Sequence, residues 1–325
     1  MREFLIVKPS SLGDIIYSLP VAQSIREQCP DAVISWIVKD RFAEIVDRCP
    51  TVNGDVIRFQ HHRGLKGPIG LLQTLREIRR KKYDAVLDLQ GLLRSGIMTR
   101  ATRSPLRIGS EFAREGGRWL CNRIVPLPAA GSDAHIVEKL LQFLPALGLK
   151  AELRSPIAIR GESPEEVDSR LKGCRPIVLF PNSRCEKREW KGFPELTQRI
   201  IASVPDAVVV WDSHKRWPDA DVSDPQRFIN LTSKTSLLHV VELIDRARLV
   251  VSNDSGPLHM AAAFGIPTLG LHGPTYPKHT GPYPLDRPSN NFLEAPERDL
   301  SRLAIDVVVD RVMAILDQQQ HDQAA

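Results

Sequence analysis

Short apolar runs alternate with amphipathic helical periods along this chain, stop, and then begin again. That rhythm limits the fold more than any single motif. In the first half, strands are expected at Phe4–Val7, Val33–Val38, Val56–Phe59 and Ala85–Leu89. Helices are expected at Ile15–Gln28, Phe42–Arg48, Leu71–Lys82 and Leu92–Arg100. Arg107–Ile108 and Ile124–Pro126 read as short strands, and His135–Leu147 as a helix. Alternation of this kind requires a parallel sheet covered on both faces. Gly148–Pro164 has no strong helical period, carries Pro156, Gly161 and Pro164, and is the best linker. The pattern restarts with strands at Ile177–Phe180, Ala207–Trp211, Phe228–Asn230, Leu249–Ser252 and Thr268–Leu271. Its helices are Phe193–Ser203, Leu237–Ala247, Leu258–Phe264 and a terminal Leu303–Gln318. The α/β chain is therefore expected to form two Rossmann-like domains, residues 1–155 and 156–325. Their strand ends would face a central cleft, since ligands of open α/β sheets bind at the carboxyl ends of the strands.

The stretch from Val251 to Pro274, VSNDSGPLHMAAAFGIPTLGLHGP, carries the clearest chemistry. A strand breaks into Asn253-Asp254-Ser255-Gly256-Pro257 and opens a helix of small residues. Unpaired N–H groups at such a helix start favour an anion such as a diphosphate. Asp254, His259 and His272 lie beside it in sequence.

Composition narrows the partners. No apolar run reaches the roughly 18–20 residues that cross a bilayer. The opening MREFLIVKPS is interrupted too soon for a signal peptide and reads as a first strand. The 5 cysteines are scattered without zinc-site spacing, as expected of reduced thiols in a cytoplasmic protein. Net charge is +5, yet Val56 to Val125 holds 15 Lys/Arg against 5 Asp/Glu, a local balance of +10. Arg79, Arg80, Lys81 and Lys82 read as a solvated helix end. The loop arginines Arg100, Arg103, Arg107, Arg114, Arg118 and Arg123 suggest an anionic partner instead. A membrane surface or a phosphorylated molecule fits. Nucleic acid fits least, because the segment lacks interleaved aromatics or a recognisable module.

Four loops follow strand ends. In Pro9-Ser10-Ser11-Leu12-Gly13-Asp14, Gly13 permits a tight turn. Asp14 reads either as a helix cap or as a general base. No GxGxxG dinucleotide fingerprint is present. In the loop from Pro181 to Trp190, Ser183, Lys187 and Arg188 are either plain surface or ligands of a diphosphate. Gln90 lines the cleft or caps the next helix. His61, His62, Arg63 and Lys66 form a basic loop suited to an anionic acceptor, with no third metal ligand evident.

KPSSLGD at Lys8–Asp14, SRCEKREW at Ser183–Trp190 and NDSGPLHMAAAFG with GPT at Asn253–Thr275 occur in one order. Together they resemble the heptosyltransferases of lipopolysaccharide core assembly, from roughly Arg2 to Tyr283. DLQGLLRS at Asp88–Ser95, AREGGRWLCNR and HIVEKLL look most like the branch that adds the first heptose to Kdo. The resemblance implies a GT-B fold and inverting transfer of heptose from ADP-L-glycero-D-manno-heptose to a Kdo-lipid A or inner-core acceptor. It implies no obligatory metal and no cofactor. Asp14 then matches the base, and Lys187, helped by Arg188, the stabiliser of the leaving diphosphate, with Ser183 beside them. Ser255, Gly256, Pro257, Leu258 and His259 would sit under the phosphates, and Asp254 at the donor sugar. Ser11, Gly13, Gln90, Arg63, Lys66, Arg118 and Arg123 are the acceptor candidates. The terminal helix would pack back on the first domain. The enzyme would work peripherally on the inner face of the inner membrane.

Three positions depart from the family pattern. Asp212–Trp217 replaces a Gly and Glu pair, Tyr276 replaces an Asp, and one extra residue sits within Lys187–Trp190. They leave open the same fold with another nucleotide sugar, a sugar epimerase, or a non-catalytic nucleotide-sugar-binding protein.

Overall fold

The computed structural model describes residues 1–60, 67–153, 156–163, 169–171, 173–183 and 185–324. They divide into two compact units, Met1–Ile159 and Arg160–Ala325.

The first unit runs β1 (Glu3–Val7), α1 (Leu12–Gln28), β2 (Val33–Lys39), α2 (Ala43–Asp47), β3 (Val56–Phe59) and α3 (Gly67–Ile78). It continues with β4 (Ala85–Asp88), α4 (Leu93–Ala101), β5 (Leu106–Ser110), β6 (Arg123–Val125) and α5 (Ile136–Leu141). The sheet order is β3-β2-β1-β4-β5-β6, with every pair parallel. Phe4 to Val7 are all buried, as a strand covered on both faces requires. Leu5, Val7, Ile37 and Val86 pack with Phe59, Ile78 and Met98 into one core cluster. Each such side chain stabilises the fold by about 1.5–3 kcal/mol through burial.

The second unit runs β7 (Ile177–Phe180), α6 (Phe193–Ser203), β8 (Val209–Trp211), β9 (Phe228–Asn230), α7 (Leu237–Asp245) and β10 (Leu249–Asn253). Then come α8 (Gly256–Phe264), β11 (Thr268–His272), the short α9 (Pro277–Thr280), β12 (Asn290–Glu294) and α10 (Ile305–Ala324). Its order, β12-β11-β10-β7-β8-β9, repeats that of the first sheet when its own strands are counted in sequence. Both sheets thus have the doubly wound Rossmann order. On α10, Val308, Val312, Ile315 and Leu316 form one apolar stripe and pack in this unit's core with α6 residues Phe193, Leu196 and Ile200.

The departures from expectation have local causes. The helix expected to reach Leu147 ends at Leu141, and Pro145 opens a separate 3-10 turn. β5 extends to Ser110 by pairing with β6, and Gly109 leaves room for Cys121 Sγ, 2.8 Å from an added Cβ. β12, with the polar sequence NNFLE, has little strand signal and forms by pairing with β11.

Candidate active site

In each sheet the order reverses between the first and fourth strands, and the loops leaving those two strands diverge. A ligand crevice is expected there. In the first unit those strands are β1 and β4. Lys8 follows β1 directly and is 5% exposed. Its Nζ donates to Leu89 O at 2.9 Å, across to the end of β4. Burial pulls its pKa down, Asp14 and Asp88 oppose that, and Arg114 adds to it. Asp88, also buried, is pushed up to about 6 by desolvation. The Gly91 N–H (2.9 Å), Ser95 Oγ (3.0 Å) and Gln90 N–H (3.2 Å) all donate to its carboxylate and hold the shift in check. Gln90 Oε1 in turn accepts from the Ser10 N–H at 3.3 Å, so it ties the β4 loop to the β1 loop.

Asp14 is half-buried in the first turn of α1. The N-cap is Ser11, and Asp14 reaches back to it. Asp14 Oδ2 accepts from the Ser11 N–H at 2.8 Å and from Ser11 Oγ at 2.6 Å. This is the return arm of a capping box. Oδ1 has no hydrogen-bond partner among the described residues. The carboxylate is thus fixed through one oxygen and open at the other, which suits a base. Gly13 lies in the same turn and places no side chain there.

In the second unit the corresponding strands are β7 and β10. Asn253, fully buried at the end of β10, accepts from the Trp190 N–H at 2.9 Å and donates Nδ2 to Pro181 O at 2.8 Å. It pins both ends of the loop that carries Ser183, Lys187 and Arg188. Glu189 braces that loop from inside. Its carboxylate accepts from the Ser183 N–H (3.1 Å), Asn182 Nδ2 (3.3 Å) and Lys191 Nζ (3.0 Å). Burial pushes the Glu189 carboxyl up, but Lys191, Ser183 and Asn182 outweigh it and hold it below the usual range.

Ser255 is the N-cap of α8, in extended conformation. The first-turn N–H groups of Gly256 and Leu258 point out of the helix start, while Pro257 contributes none. The Leu258 side chain is core, against Gly270. Only its N–H can serve a ligand. Asp254 lies beside this turn, with His259 Nε2 at 3.3 Å from Oδ1 and Arg188 Nη1 at 3.7 Å from Oδ2. Burial pushes the Asp254 carboxyl up, but His259, His272 and Thr275 overcome it and bring it to about 2. His272 is fully buried at the end of β11, where desolvation lowers it to about 4. Its Nδ1 lies 3.3 Å from Thr275 Oγ1. The arrangement is a helix start, a guanidinium and two imidazoles around one ionised carboxylate.

Ser11, Gly13, Asp14 and Gln90 therefore lie at the switch point of the first unit, and Ser183, Lys187, Arg188 and Asp254 to His259 at that of the second. Arg188, not Lys187, makes the ion pair with Asp254, and Lys187 is exposed on the same 3-10 turn. Arg118 and Arg123 are exposed. Arg118 stacks on the ring of Trp119 at 4.7 Å, and Trp119 is 77% exposed. Arg63 and Lys66, with His61 and His62, lie outside the described residues. Sequence reasoning did not assign Lys8, Glu189 or Lys191 a role. A lysine set directly after four apolar strand residues, and two opposite charges flanking Trp190, were the available signals. Asp212, after β8, is fully buried and pushed up to about 6 by desolvation. Thr235 Oγ1 donates to its Oδ1 at 2.7 Å, and Oδ2 has no hydrogen-bond partner among the described residues. Tyr276 is held from both ring and hydroxyl by Arg298, whose Nη1 donates to the phenol oxygen at 2.9 Å.

Two doubly wound parallel sheets, each with its chemistry at the switch point, define the GT-B class of glycosyltransferase fold. The chain belongs to glycosyltransferase family 9 (heptosyltransferase), whose family model matches residues 71–299. It is 31% identical over 295 residues to lipopolysaccharide heptosyltransferase 1 of Pseudomonas aeruginosa, covering 86% of this chain and 81% of that protein. It is 26% identical over 294 residues to lipopolysaccharide core heptosyltransferase OpsX of Haemophilus influenzae, covering 87% and 82%. The solved structure of E. coli heptosyltransferase WaaC with ADP shares its fold, with a TM-score of 0.78 at 23% identity over 97% of this chain and 100% of that one.

Proposed function

We propose that this glycosyltransferase moves heptose from ADP-L-glycero-D-manno-heptose to a Kdo-lipid A or inner-core acceptor, with inversion. Lipopolysaccharide heptosyltransferases are among its relatives. WaaC has been solved with ADP and with ADP-2-deoxy-2-fluoro heptose, which supports a nucleotide-sugar donor. The observation that carries the mechanism is the Asp14 carboxylate, fixed on Ser11 through Oδ2 with Oδ1 open. An acceptor hydroxyl attacks the anomeric carbon while Asp14 takes its proton. The bond from that carbon to the diphosphate breaks, and its electron pair leaves with ADP. The Gly256 and Leu258 N–H groups, Arg188 and Lys187 stabilise the charge that grows on the leaving oxygen. Ser255 and His259 frame that subsite, and Ser183 lies on the loop that carries Arg188. Asp254 holds the donor's hydroxyls.

Ser11, Gly13 and Gln90 line the acceptor side in this reading, with Arg118 and Arg123 as cations for its carboxylates and phosphates. No described helix is long and apolar enough to cross a membrane. An exposed tryptophan beneath an arginine suits peripheral contact with an anionic bilayer. We place the enzyme on the cytoplasmic face of the inner membrane. One observation favours a second reading, a donor with a different nucleotide. The loop after β8 begins with a carboxylate buried on Thr235.

Release of ADP from purified enzyme, ADP-heptose and Kdo-lipid A tests the first reading, with other nucleotide sugars run in parallel. Turnover that depends on acceptor and is lost in Asp14→Ala, with ADP binding retained, is expected. No ADP release from that pair, with turnover of another donor, would select the second.

A further inference from the structure

Lys8 has no role in the transfer described so far, yet it occupies an unusual place. Its backbone is locked to β2: the Lys8 N–H donates to Ile37 O at 3.2 Å, and Lys8 O accepts from Trp36 Nε1 at 3.2 Å. Its side chain runs the other way and donates to Leu89 O beyond β4. One residue thus spans β2, β1 and the β4 loop, beneath the loops that bear Asp14 and Gln90. A buried ammonium is expensive unless its surroundings use it, and an apolar residue would fill such a site at lower cost. The ammonium has three N–H donors and makes one hydrogen bond among the described residues. Asp88 does not depend on it for hydrogen bonds, since Gly91, Gln90 and Ser95 already supply three donors. The charged groups that act on Lys8 are Asp14, Asp88 and Arg114.

We propose that Lys8 is a positioning residue for the transfer. Its buried ammonium staples the end of β1 to the loop after β4 and so holds in place the turn that carries Asp14. The inference rests on the assignment of Asp14 as that base. Lys8 touches no substrate in this account. It fixes the loop on which the Asp14 carboxylate stands, and Ser11 orients that carboxylate within it.

A single Lys8→Met change would leave Asp88 buried without its counter-charge and confuse folding with function. Asp88→Asn is therefore the reference, compared with Lys8→Met/Asp88→Asn and with Lys8→Gln/Asp88→Asn, which keeps a donor for Leu89. The double variants should melt like the reference and keep its KM for the donor. Lys8→Met/Asp88→Asn should lose about tenfold in kcat. Lys8→Gln/Asp88→Asn should lose less, because it keeps a donor for Leu89 O. Equal kcat in Lys8→Met/Asp88→Asn and in Asp88→Asn would reduce Lys8 to scaffold and overturn the proposal. Asp14→Ala, run alongside, separates the two ideas. Full activity in Asp14→Ala sinks the base assignment itself. Loss there, with double variants matching the reference, sinks only the role of Lys8.

Discussion

His259 Nε2 lies 3.3 Å from Asp254 Oδ1, with each side chain only 7% exposed. Burial alone would neutralise this carboxyl, yet His259, His272 and Thr275 bring it to about 2. It is therefore a fixed negative charge beside a helix start that favours anions. That pairing is awkward for a bare phosphate site and sensible for one that also grips sugar hydroxyls. The stability Asp254 contributes is present above its unfolded pKa and is lost only as pH falls through about 2. Asp254→Asn should lower kcat/KM for the nucleotide sugar by about tenfold or more, with a much smaller change in ADP affinity. Steady-state kinetics and calorimetry read the two effects. A loss confined to ADP binding would contradict the sugar contact.

His272 predicts a pH effect on stability. Desolvation lowers its folded pKa to about 4, from the 6.5 of a free imidazole. Between those values the unfolded chain holds a proton that the folded chain does not, so stability falls as pH drops from 6.5 towards 4. The contribution is at most about 3 kcal/mol. Urea midpoints across that range should show a shallower decline for His272→Gln than for wild type. Parallel slopes would show that another group governs the acid side.

The cation that neutralises the diphosphate is expected to be Arg188, because it reaches Asp254 while Lys187 is exposed. Arg188→Met should weaken ADP binding about tenfold, more than Lys187→Met does. The reverse ranking, measured by titration with ADP, would assign the leaving group to Lys187.

Gly91 has φ +67, and a Cβ there would lie 3.2 Å from Ala113 Cα. Its N–H also donates to Asp88. Gly91→Ala should therefore cost about 1–2 kcal/mol from the left-handed backbone alone. A lower urea midpoint with an unchanged slope is the expected result. An unaffected midpoint would mean that the turn relaxes freely.

The doubly wound halves were readable because β1, β4, β7 and β10 are short apolar runs followed by glycine- or serine-bearing loops. Asp14 and Asp254 were legible for the same reason: each stands just beyond such a run. Three things were hidden. β12 owes its strand to β11 rather than to its own polar sequence. The reach of Lys8 to Leu89 joins residues 81 positions apart, which no local pattern encodes. The choice between Lys187 and Arg188 turns on which way a 3-10 turn faces, and adjacent cations look alike in sequence.

The repeated strand order also bears on how far such a chain can diverge. In each sheet the ladder hydrogen bonds belong to the strands, and the residues that would meet substrate stand in loops that carry almost none of that ladder. Substitutions at exposed positions in those loops, such as Lys187, leave that ladder as it is. Within Asp212–Trp217, the exposed His214, Lys215 and Arg216 can be rewritten while both sheets remain as they were, whereas Asp212 and Trp217 are tied to β7 and to Trp211. The loops of the first unit and those of the second are likewise separate targets for change, each on its own copy of one scaffold.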